Sequence, residues 1–196
     1  MTAPFHGRIA LVTGASRGIG RAAALALAKA GAHVVATATN QGGLEELDDE
    51  VRAATGLPAT LVPLDLKDGD GVDRLGGALF ERWGKLDVLV AAAGVLGPLS
   101  PLAHVEVKDW TRVLSVNLTA NWRLIRSMDP LLQATDAGRA VFLTSGAASR
   151  PRAFWGPYAV SKAALEALVK TYADEIESTR VRAALLDPGP TRTRMR

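Results

Sequence analysis

The stretch Thr13-Gly14-Ala15-Ser16-Arg17-Gly18-Ile19-Gly20 indicates the fold when it is read together with the segments on either side of it. The apolar run 8–12 before it predicts a short buried strand, and the Ala/Leu-rich run 21–30 after it predicts a helix that stops at Gly31. Glycines let the backbone turn sharply and approach a ligand closely. The amino terminus of the helix then offers free N–H groups to a pyrophosphate. A turn that only packs the helix on the strand is the alternative.

Strands and helices alternate along the rest of the chain. Further strands are predicted at 33–38, 59–63, 86–91, 140–144 and 181–186, and further helices at 41–54, 71–83, 107–132 and around Tyr158. Because most of these strands are apolar throughout, we expect an α/β fold whose doubly wound parallel sheet is covered on both faces. Ligands bind at the carboxyl ends of such strands. The residues that follow predicted strands should therefore gather at one edge: Gly14, Asp65, Gly94, Ser145 and Pro188.

Composition excludes several classes of site. The 196 residues predict one domain, 1–196, with 48% apolar and 22% charged residues, an ordinary globular balance. The absence of cysteine excludes disulfides, thiolate zinc sites and cysteine nucleophiles. The three histidines, His6, His33 and His104, show no metal-ligand spacing, so no metal is expected.

Location and large partners are also constrained. Residues 1–7 lack an apolar signal core, and no apolar run is long enough to span a bilayer, so we expect a cytoplasmic protein without membrane contact. The net charge of +3 is too small to predict nucleic-acid binding. The basic cluster Arg192, Arg194 and Arg196 fits a solvated terminus as well as it fits an anion site.

The second predicted strand bears on cofactor choice. NAD sites usually place an acid about 20 residues beyond the glycines, where it binds the ribose 2′-hydroxyl. Here that region reads Ala38-Thr39-Asn40 and contains no acid, while Arg17 could meet a 2′-phosphate. Both features favour NADP, with NAD possible. A solvated loop position is the alternative for Arg17.

The stretch Tyr158-Ala159-Val160-Ser161-Lys162 carries candidate chemistry. Residues four apart share one face of a helix, so the phenol of Tyr158 and the ammonium of Lys162 would point into the same space. A nearby positive charge lowers the pKa of a tyrosine from about 10 toward the range useful for acid–base catalysis. Ser145, after a predicted strand, could hold the same substrate oxygen. An amphipathic helix with a core aromatic and a solvated lysine is the alternative.

Taken together, these motifs resemble the short-chain dehydrogenase/reductase family over essentially the whole chain. The resemblance rests on Thr13-Gly14-x-x-x-Gly18-x-Gly20, Asp65-Leu66, Leu86-Asp87-Val88-Leu89-Val90 before Ala93-Gly94, Asn117, Ser145, Tyr158-x-x-x-Lys162 and Pro188-Gly189. It implies a Rossmann-like sheet with strand order 3-2-1-4-5-6. The usual seventh strand, which lies in a segment that family members carry beyond position 196, is not expected in this sequence.

The resemblance also implies roles. Tyr158 would be the catalytic acid/base, Lys162 would assist it and bind the nicotinamide ribose, Ser145 would polarise the substrate oxygen, and Asn117 would hold a water in a proton relay. The implied cofactor-binding residues are Gly14, Ser16, Arg17, Gly18, Ile19, Gly20, Asp65, Leu66, Ala93, Gly94, Tyr158, Lys162, Pro188, Gly189, Thr191 and Thr193.

Four positions depart from the family pattern. Ala91 and Ala92 stand where two asparagines are usual, and Ala184 and Asp187 stand where we would expect asparagine. We expect weaker local hydrogen bonding at these positions, and Asp187 adds a negative charge near the nicotinamide end.

The sequence therefore predicts an NADP-dependent oxidoreductase that interconverts a carbonyl and an alcohol. A non-catalytic nucleotide-binding protein of the same fold is the alternative. The resemblance further implies a homodimer or homotetramer formed through the helices of Asn117 and Tyr158. Six side chains either line an apolar substrate pocket or pack loops: Pro151, Phe154, Trp155, Leu96, Leu99 and Leu102.

Overall fold

A computed structural model describes residues 3–193, which leaves Arg194 and Arg196 of the terminal basic cluster outside the described residues. Within that range, six parallel strands form one sheet in the order β3-β2-β1-β4-β5-β6. The strands are β1 Ile9–Thr13, β2 His33–Ala38, β3 Thr60–Pro63, β4 Val88–Ala91, β5 Arg139–Leu143 and β6 Arg182–Leu186. The predicted fold class and strand order are confirmed.

Six α-helices connect the strands. They are α1 Gly18–Lys29, α2 Gln41–Thr55, α3 Gly69–Trp83, α4 Val107–Leu114, α5 Ala120–Gln133 and α6 Gly156–Glu175. Local signals fix several of their ends: the side chains of Asn40 and Asp68 accept hydrogen bonds from the first turns of α2 and α3, and Gly56 and Gly84 close those helices in the left-handed conformation.

The core has one layer on each side of the sheet. Alternate residues of β1 point to opposite faces, so that Leu11 packs with α3, α5 and α6, whereas Val12 packs with α1 and α2. The inner strands β1, β2 and β4 are buried along almost their whole length, as expected for a parallel sheet, whereas the edge strands β3 and β6 are partly exposed.

Asp87 ties the amino edge of the sheet together. Its carboxylate is 1% exposed and accepts hydrogen bonds from Ile9 N at 2.9 Å, Arg8 Nη1 at 2.8 Å and Thr135 Oγ1 at 2.7 Å, while Lys85 Nζ lies 2.9 Å away. Burial by itself would raise the pKa of Asp87, but these bonds outweigh it and lower the pKa. These bonds stabilise the amino edge of the sheet, at the opposite end of the strands from the edge where the sequence predicts a ligand.

Two predicted boundaries were wrong in an informative way. Helix α1 begins at Gly18 rather than near Arg21, so the last glycines of the turn form its first turn. The predicted helix 107–132 is interrupted at Ser115–Thr119 by a π-helical segment. The remaining limits differ from the prediction by one or two residues. Across residues 3–193, no helix combines the length and the apolar character needed to cross a bilayer.

The contact between Gly20 and the β1–α1 turn predicts a substitution effect. A Cβ on Gly20 would lie 2.4 Å from the carbonyl oxygen of Gly14 and 3.0 Å from that of Thr13, and backbone atoms cannot move aside as a flexible side chain can. We expect Gly20→Ala to lower the free energy of unfolding by about 1–3 kcal/mol. Urea denaturation measures this change.

Gly77 provides the matched control. It lies in α3, and a Cβ there would meet no atom within 4 Å. Gly77→Ala should raise the free energy of unfolding by about 0.5–1 kcal/mol through helix propensity. Equal effects of the two substitutions would contradict the proposed close packing of the turn.

Candidate active site

One continuous cleft runs along the carboxyl edge of the sheet. It consists of a large cavity of about 410 Å³ above the glycine-rich turn and a small cavity of about 110 Å³ beside Tyr158. Ile19, Ala92, Gly94 and Thr193 line both cavities. All sixteen residues expected to bind the cofactor line one cavity or the other.

The floor of the large cavity is bare backbone. Gly14 and Gly18 have φ values of 66° and 58°, and a Cβ on Gly14 would lie 2.8 Å from Ala93 Cα. Arg17 stands at the N-cap of α1 without a capping side-chain bond, and the first turn of the helix contains no acid. The free N–H groups of this helix terminus therefore face a cavity that has space and positive potential for a pyrophosphate.

Three cationic side chains line the large cavity: Arg17, Lys67 and Arg112. Lys67 Nζ lies 3.1 Å from Asp65 Oδ2, and Arg112 Nη2 lies 3.1 Å from Asp109 Oδ1. Within residues 3–193, no hydrogen bond or ion pair engages the guanidinium of Arg17. Asp65 is the one carboxylate among the described lining residues. This charge balance suits an additional phosphate.

The hydroxyl groups of Thr13 in β1 and Thr37 in β2 differ in their hydrogen bonding. Thr13 Oγ1 accepts a hydrogen bond from Ala93 N at 3.1 Å, and so fixes the backbone that follows the strand. The hydroxyl of Thr37, which is 1% exposed and belongs to the lining of the large cavity, has no hydrogen-bond partner within the described range. Such a buried unpaired hydroxyl is costly in the free protein.

Tyr158 and Lys162 lie one above the other on α6, as the spacing predicts. Lys162 Nζ is 5.9 Å from the centroid of the Tyr158 ring and donates a hydrogen bond to Leu143 O at 2.6 Å. The ring of Tyr158 meets that of Trp155 edge-on, with centroids 6.0 Å apart. Both side chains line the small cavity, as their spacing of four residues predicts, and their catalytic roles stay a prediction.

Burial changes the acidity of the lysine. Lys162 is 4% exposed, and desolvation lowers its pKa to about 8. Burial therefore disfavours its ammonium form, which donates a hydrogen bond to the carbonyl oxygen of Leu143. This buried lysine differs from the solvated lysine that the alternative interpretation, an ordinary amphipathic helix, would require.

Ser145 follows β5 by two residues and completes the small cavity. Its hydroxyl accepts a hydrogen bond from Ala147 N at 3.3 Å, which opens the turn that carries the chain toward α6. Because an accepted bond leaves the hydroxyl proton available, Ser145 can still donate to an oxygen atom in the cavity.

Asn117 supports the site from outside both cavities. It lies in the π-helical segment, where its Oδ1 accepts from Val95 N at 2.9 Å and its Nδ2 donates to Val95 O at 2.9 Å and to Ser161 Oγ at 3.0 Å. Its own carbonyl accepts from Asn121 Nδ2 at 2.8 Å. The side chain thus locks the loop after β4 against α6. The predicted water relay stays a prediction.

The segment after β6 returns to the glycine-rich turn. Asp187 Oδ1 accepts from Gly189 N at 2.9 Å, and Gly189 has a φ of 65°, so the Pro188-Gly189 turn is closed by its own preceding side chain. Thr191 lines the small cavity, and a Cβ on Gly18 would come 3.3 Å from Thr193 Cγ2. The expected Thr191 and Thr193 positions therefore lie against the cleft.

The apolar side chains divide into two groups. Leu96 and Trp155 line the small cavity and pack against Tyr158, as a substrate wall would. The other four, Pro151, Phe154, Leu99 and Leu102, are exposed and do not line it. Phe154 has a φ of 71°, a strained value for a bulky residue, and its carbonyl accepts a hydrogen bond from Ser100 N at 3.1 Å.

Sequence reasoning missed several cavity residues. Thr37, Lys67 and Arg112 line the large cavity, yet no sequence pattern distinguishes Thr37 from an ordinary strand residue or Arg112 from an ordinary surface residue. The position of Lys67, two residues beyond Asp65 at a strand end, was the one usable signal. Within residues 3–193, no group of three or more His, Cys, Asp or Glu side chains could hold a metal ion.

The buried ammonium predicts a pH dependence of stability. The pKa of Lys162 falls from 10.5 to about 8 on burial. Between these values the unfolded chain keeps a proton that the folded chain has released, so a rise in pH stabilises the fold. Compared with Lys162→Met, the wild-type free energy of unfolding should rise by on the order of 1–2 kcal/mol from about pH 7.5 to about pH 9.5.

Urea denaturation at the two pH values measures the difference. Lys170→Met, at an exposed position of the same helix, controls for loss of one positive charge. Parallel pH dependence in the wild type and in Lys162→Met would contradict the buried-ammonium interpretation.

Comparison with known proteins places the chain among its relatives. The model of the short chain dehydrogenase family matches residues 8–196. The uncharacterized oxidoreductase YciK of Escherichia coli is 37% identical over 191 residues, which cover 96% of this chain and 75% of that protein. A short chain dehydrogenase structure from Pseudomonas syringae has a TM-score of 0.96 at 38% identity, covering 100% of this chain and 82% of that chain.

A further solved structure comes from Shigella flexneri and is a short chain dehydrogenase complexed with NADP. Its TM-score is 0.95 at 35% identity, and the match covers 100% of this chain and 82% of that chain. The family match over nearly the whole chain and the shared fold agree with the cleft described above. The chain therefore belongs to the short-chain dehydrogenase/reductase family of NAD(P)-dependent oxidoreductases.

Proposed function

We propose that the protein interconverts a carbonyl and an alcohol by hydride transfer with NADP, and that Tyr158 is the general acid/base. The observation that carries the proposal is the convergence of Tyr158, Lys162 and Ser145 in a small cavity that opens into a dinucleotide-sized one. An acid/base, a cation and a hydroxyl donor thus surround one reaction space.

The large cavity fits a dinucleotide with a 2′-phosphate. The backbone of Gly14, Gly18 and Gly20 and the first turn of α1 line this cavity and would hold the pyrophosphate. Arg17, Lys67 and the hydroxyl of Ser16 are available to a 2′-phosphate, and Thr39 and Asn40, which directly follow β2, are not acids that could bind a free 2′-hydroxyl. The NADP complex of the Shigella relative supports the same choice. NAD remains the weaker ligand in this proposal.

The reaction follows from the small cavity. The bound nicotinamide supplies or accepts the hydride at the substrate carbon. Tyr158 gives its phenolic proton to the carbonyl oxygen during reduction and takes a proton from the alcohol during oxidation. Lys162 stabilises the negative charge that then forms on the phenol oxygen, and Ser145 donates a hydrogen bond to the same substrate oxygen.

The wall of the small cavity favours apolar substrates. Leu96 and Trp155 offer hydrophobic surface directly beside Tyr158. A carbonyl compound with an aromatic or branched aliphatic group would bury that group against them, while its oxygen faces Ser145 and Tyr158.

The non-catalytic alternative is not favoured. A nucleotide sensor would need the large cavity alone, whereas this chain also keeps Tyr158, Lys162, Ser145 and Asn117, and maintains a lysine that is costly to bury. Self-association stays a prediction; Trp122 on α5 and Val160 on α6 are large apolar side chains exposed on the two helices concerned.

The two tyrosines of the chain allow a matched test of the acid/base role. Tyr158→Phe should lower the turnover of NADPH with a panel of aromatic and aliphatic aldehydes and ketones by about 100-fold or more, because the proton donor is lost. NADPH affinity should change by less than about threefold, since the phenol hydroxyl adds one bond to the bound state at most. Turnover with NADH should be slower than with NADPH.

Tyr172→Phe is the control on the same helix. Its hydroxyl donates to Asp129 at 2.6 Å, away from both cavities, so the substitution should reduce stability but preserve turnover. Wild-type activity in Tyr158→Phe would refute the assignment, and a wild-type protein that binds NADPH but reduces no carbonyl would restore the non-catalytic alternative.

A further inference from the structure

Asp187 is a carboxylate in the reaction space for which the mechanism has no use. It lines the small cavity together with Ser145, Tyr158 and Lys162. Its Oδ1 accepts from Gly189 N at 2.9 Å, whereas its Oδ2 points toward Gly146, where a Cβ would lie 3.5 Å away. Among residues 3–193, no hydrogen bond or ion pair engages Oδ2 of Asp187.

Two charged side chains are among the described residues that line the small cavity. Lys162 is the one cation and Asp187 the one carboxylate. Lys162 is buried and bound to Leu143 O at the end of β5, while Asp187 is exposed and directly follows the neighbouring parallel strand β6. A ring placed between α6 and the Pro188-Gly189 turn would therefore have a carboxylate on one side.

The two redox states of the cofactor differ in the charge of the nicotinamide ring. The nicotinamide ring carries one positive charge in NADP⁺ and none in NADPH, while the phosphates and the adenosine are the same. A carboxylate beside the ring attracts the oxidised form and leaves the reduced form unchanged. Two unit charges about 6 Å apart, at an effective dielectric constant of about 20–80, change affinity by roughly 3- to 100-fold.

We infer that Asp187 sets the preference of the site for NADP⁺ over NADPH. The inference rests on the proposed function, because it requires the nicotinamide to occupy the small cavity. The carboxylate offsets the repulsion between the oxidised ring and the Lys162 ammonium, and it shifts the equilibrium between bound reactants toward alcohol and NADP⁺. Asp187 also accepts a hydrogen bond from Gly189 N, which closes the turn. The side chain therefore has two roles, a structural one through this bond and an electrostatic one through its charge.

Asp187→Asn separates the two parts. The amide oxygen still accepts from Gly189 N, so the turn is kept, but the charge is removed. The ratio of the dissociation constant of NADPH to that of NADP⁺, measured by calorimetry, should fall about tenfold in Asp187→Asn. The effect should shrink when the ionic strength is raised from about 0.02 M to about 0.5 M.

Glu177→Gln removes an equal charge from an exposed site beyond the carboxyl end of α6, at the opposite edge of the sheet, and should leave the ratio unchanged. If Asp187→Asn loses stability, Asp187→Ser retains a short acceptor for Gly189 N and gives the same test. An unchanged ratio, with both nucleotides still bound, would overturn the role of Asp187 and leave the proposed function standing. Failure of the wild type to bind either nucleotide would overturn both.

Discussion

The close approach of three backbone segments is the constraint on which the cleft depends. The turn after β1 touches the chain after β4 at Gly14 and Ala93, and it touches its own helix at Gly20, with no room for a Cβ at either glycine. This contact places the amino terminus of α1 at the floor of the large cavity, where Arg17 and Gly18 are among the lining residues. It also brings Ala93 N to the hydroxyl of Thr13, which fixes the start of the loop held by Asn117.

A second constraint links the sheet edge to the chemistry. Tyr158 and Lys162 share one face of α6, which packs on β5 and β6, and the carbonyl of Leu143 at the end of β5 accepts a hydrogen bond from Lys162 Nζ. The fold therefore keeps the side chain of Lys162 buried, although burial disfavours its charged form. Such a conflict between stability and local preference is typical of functional sites, where residues are kept for a reason other than packing. The unpaired hydroxyl of Thr37 in the large cavity is a second case of the same kind.

Much of this could be predicted from the sequence, because it depends on local patterns. Apolar runs alternating with helical segments predicted the sheet, and a spacing of four placed Tyr158 beside Lys162. What failed depends on contacts between distant segments. The π-helical segment at Ser115–Thr119 arises where Asn117 binds Val95 and Ser161, neither of which is near it in sequence. The cavity positions of Lys67 and Arg112 follow from how the loops fold back, and the orientation of Asp187 follows from its bond to Gly189.

The central claim is that a nicotinamide dinucleotide occupies the whole cleft, from the glycine-rich turn to Tyr158. Hydrogen–deuterium exchange with and without NADPH tests it most directly, because exchange reports on each backbone segment separately. The account predicts slower exchange at 14–20, 92–96 and 188–193 on addition of NADPH, with no change around Asp87 at the opposite edge of the sheet. Unchanged exchange in those three segments at saturating NADPH, or protection confined to another part of the chain, would contradict it.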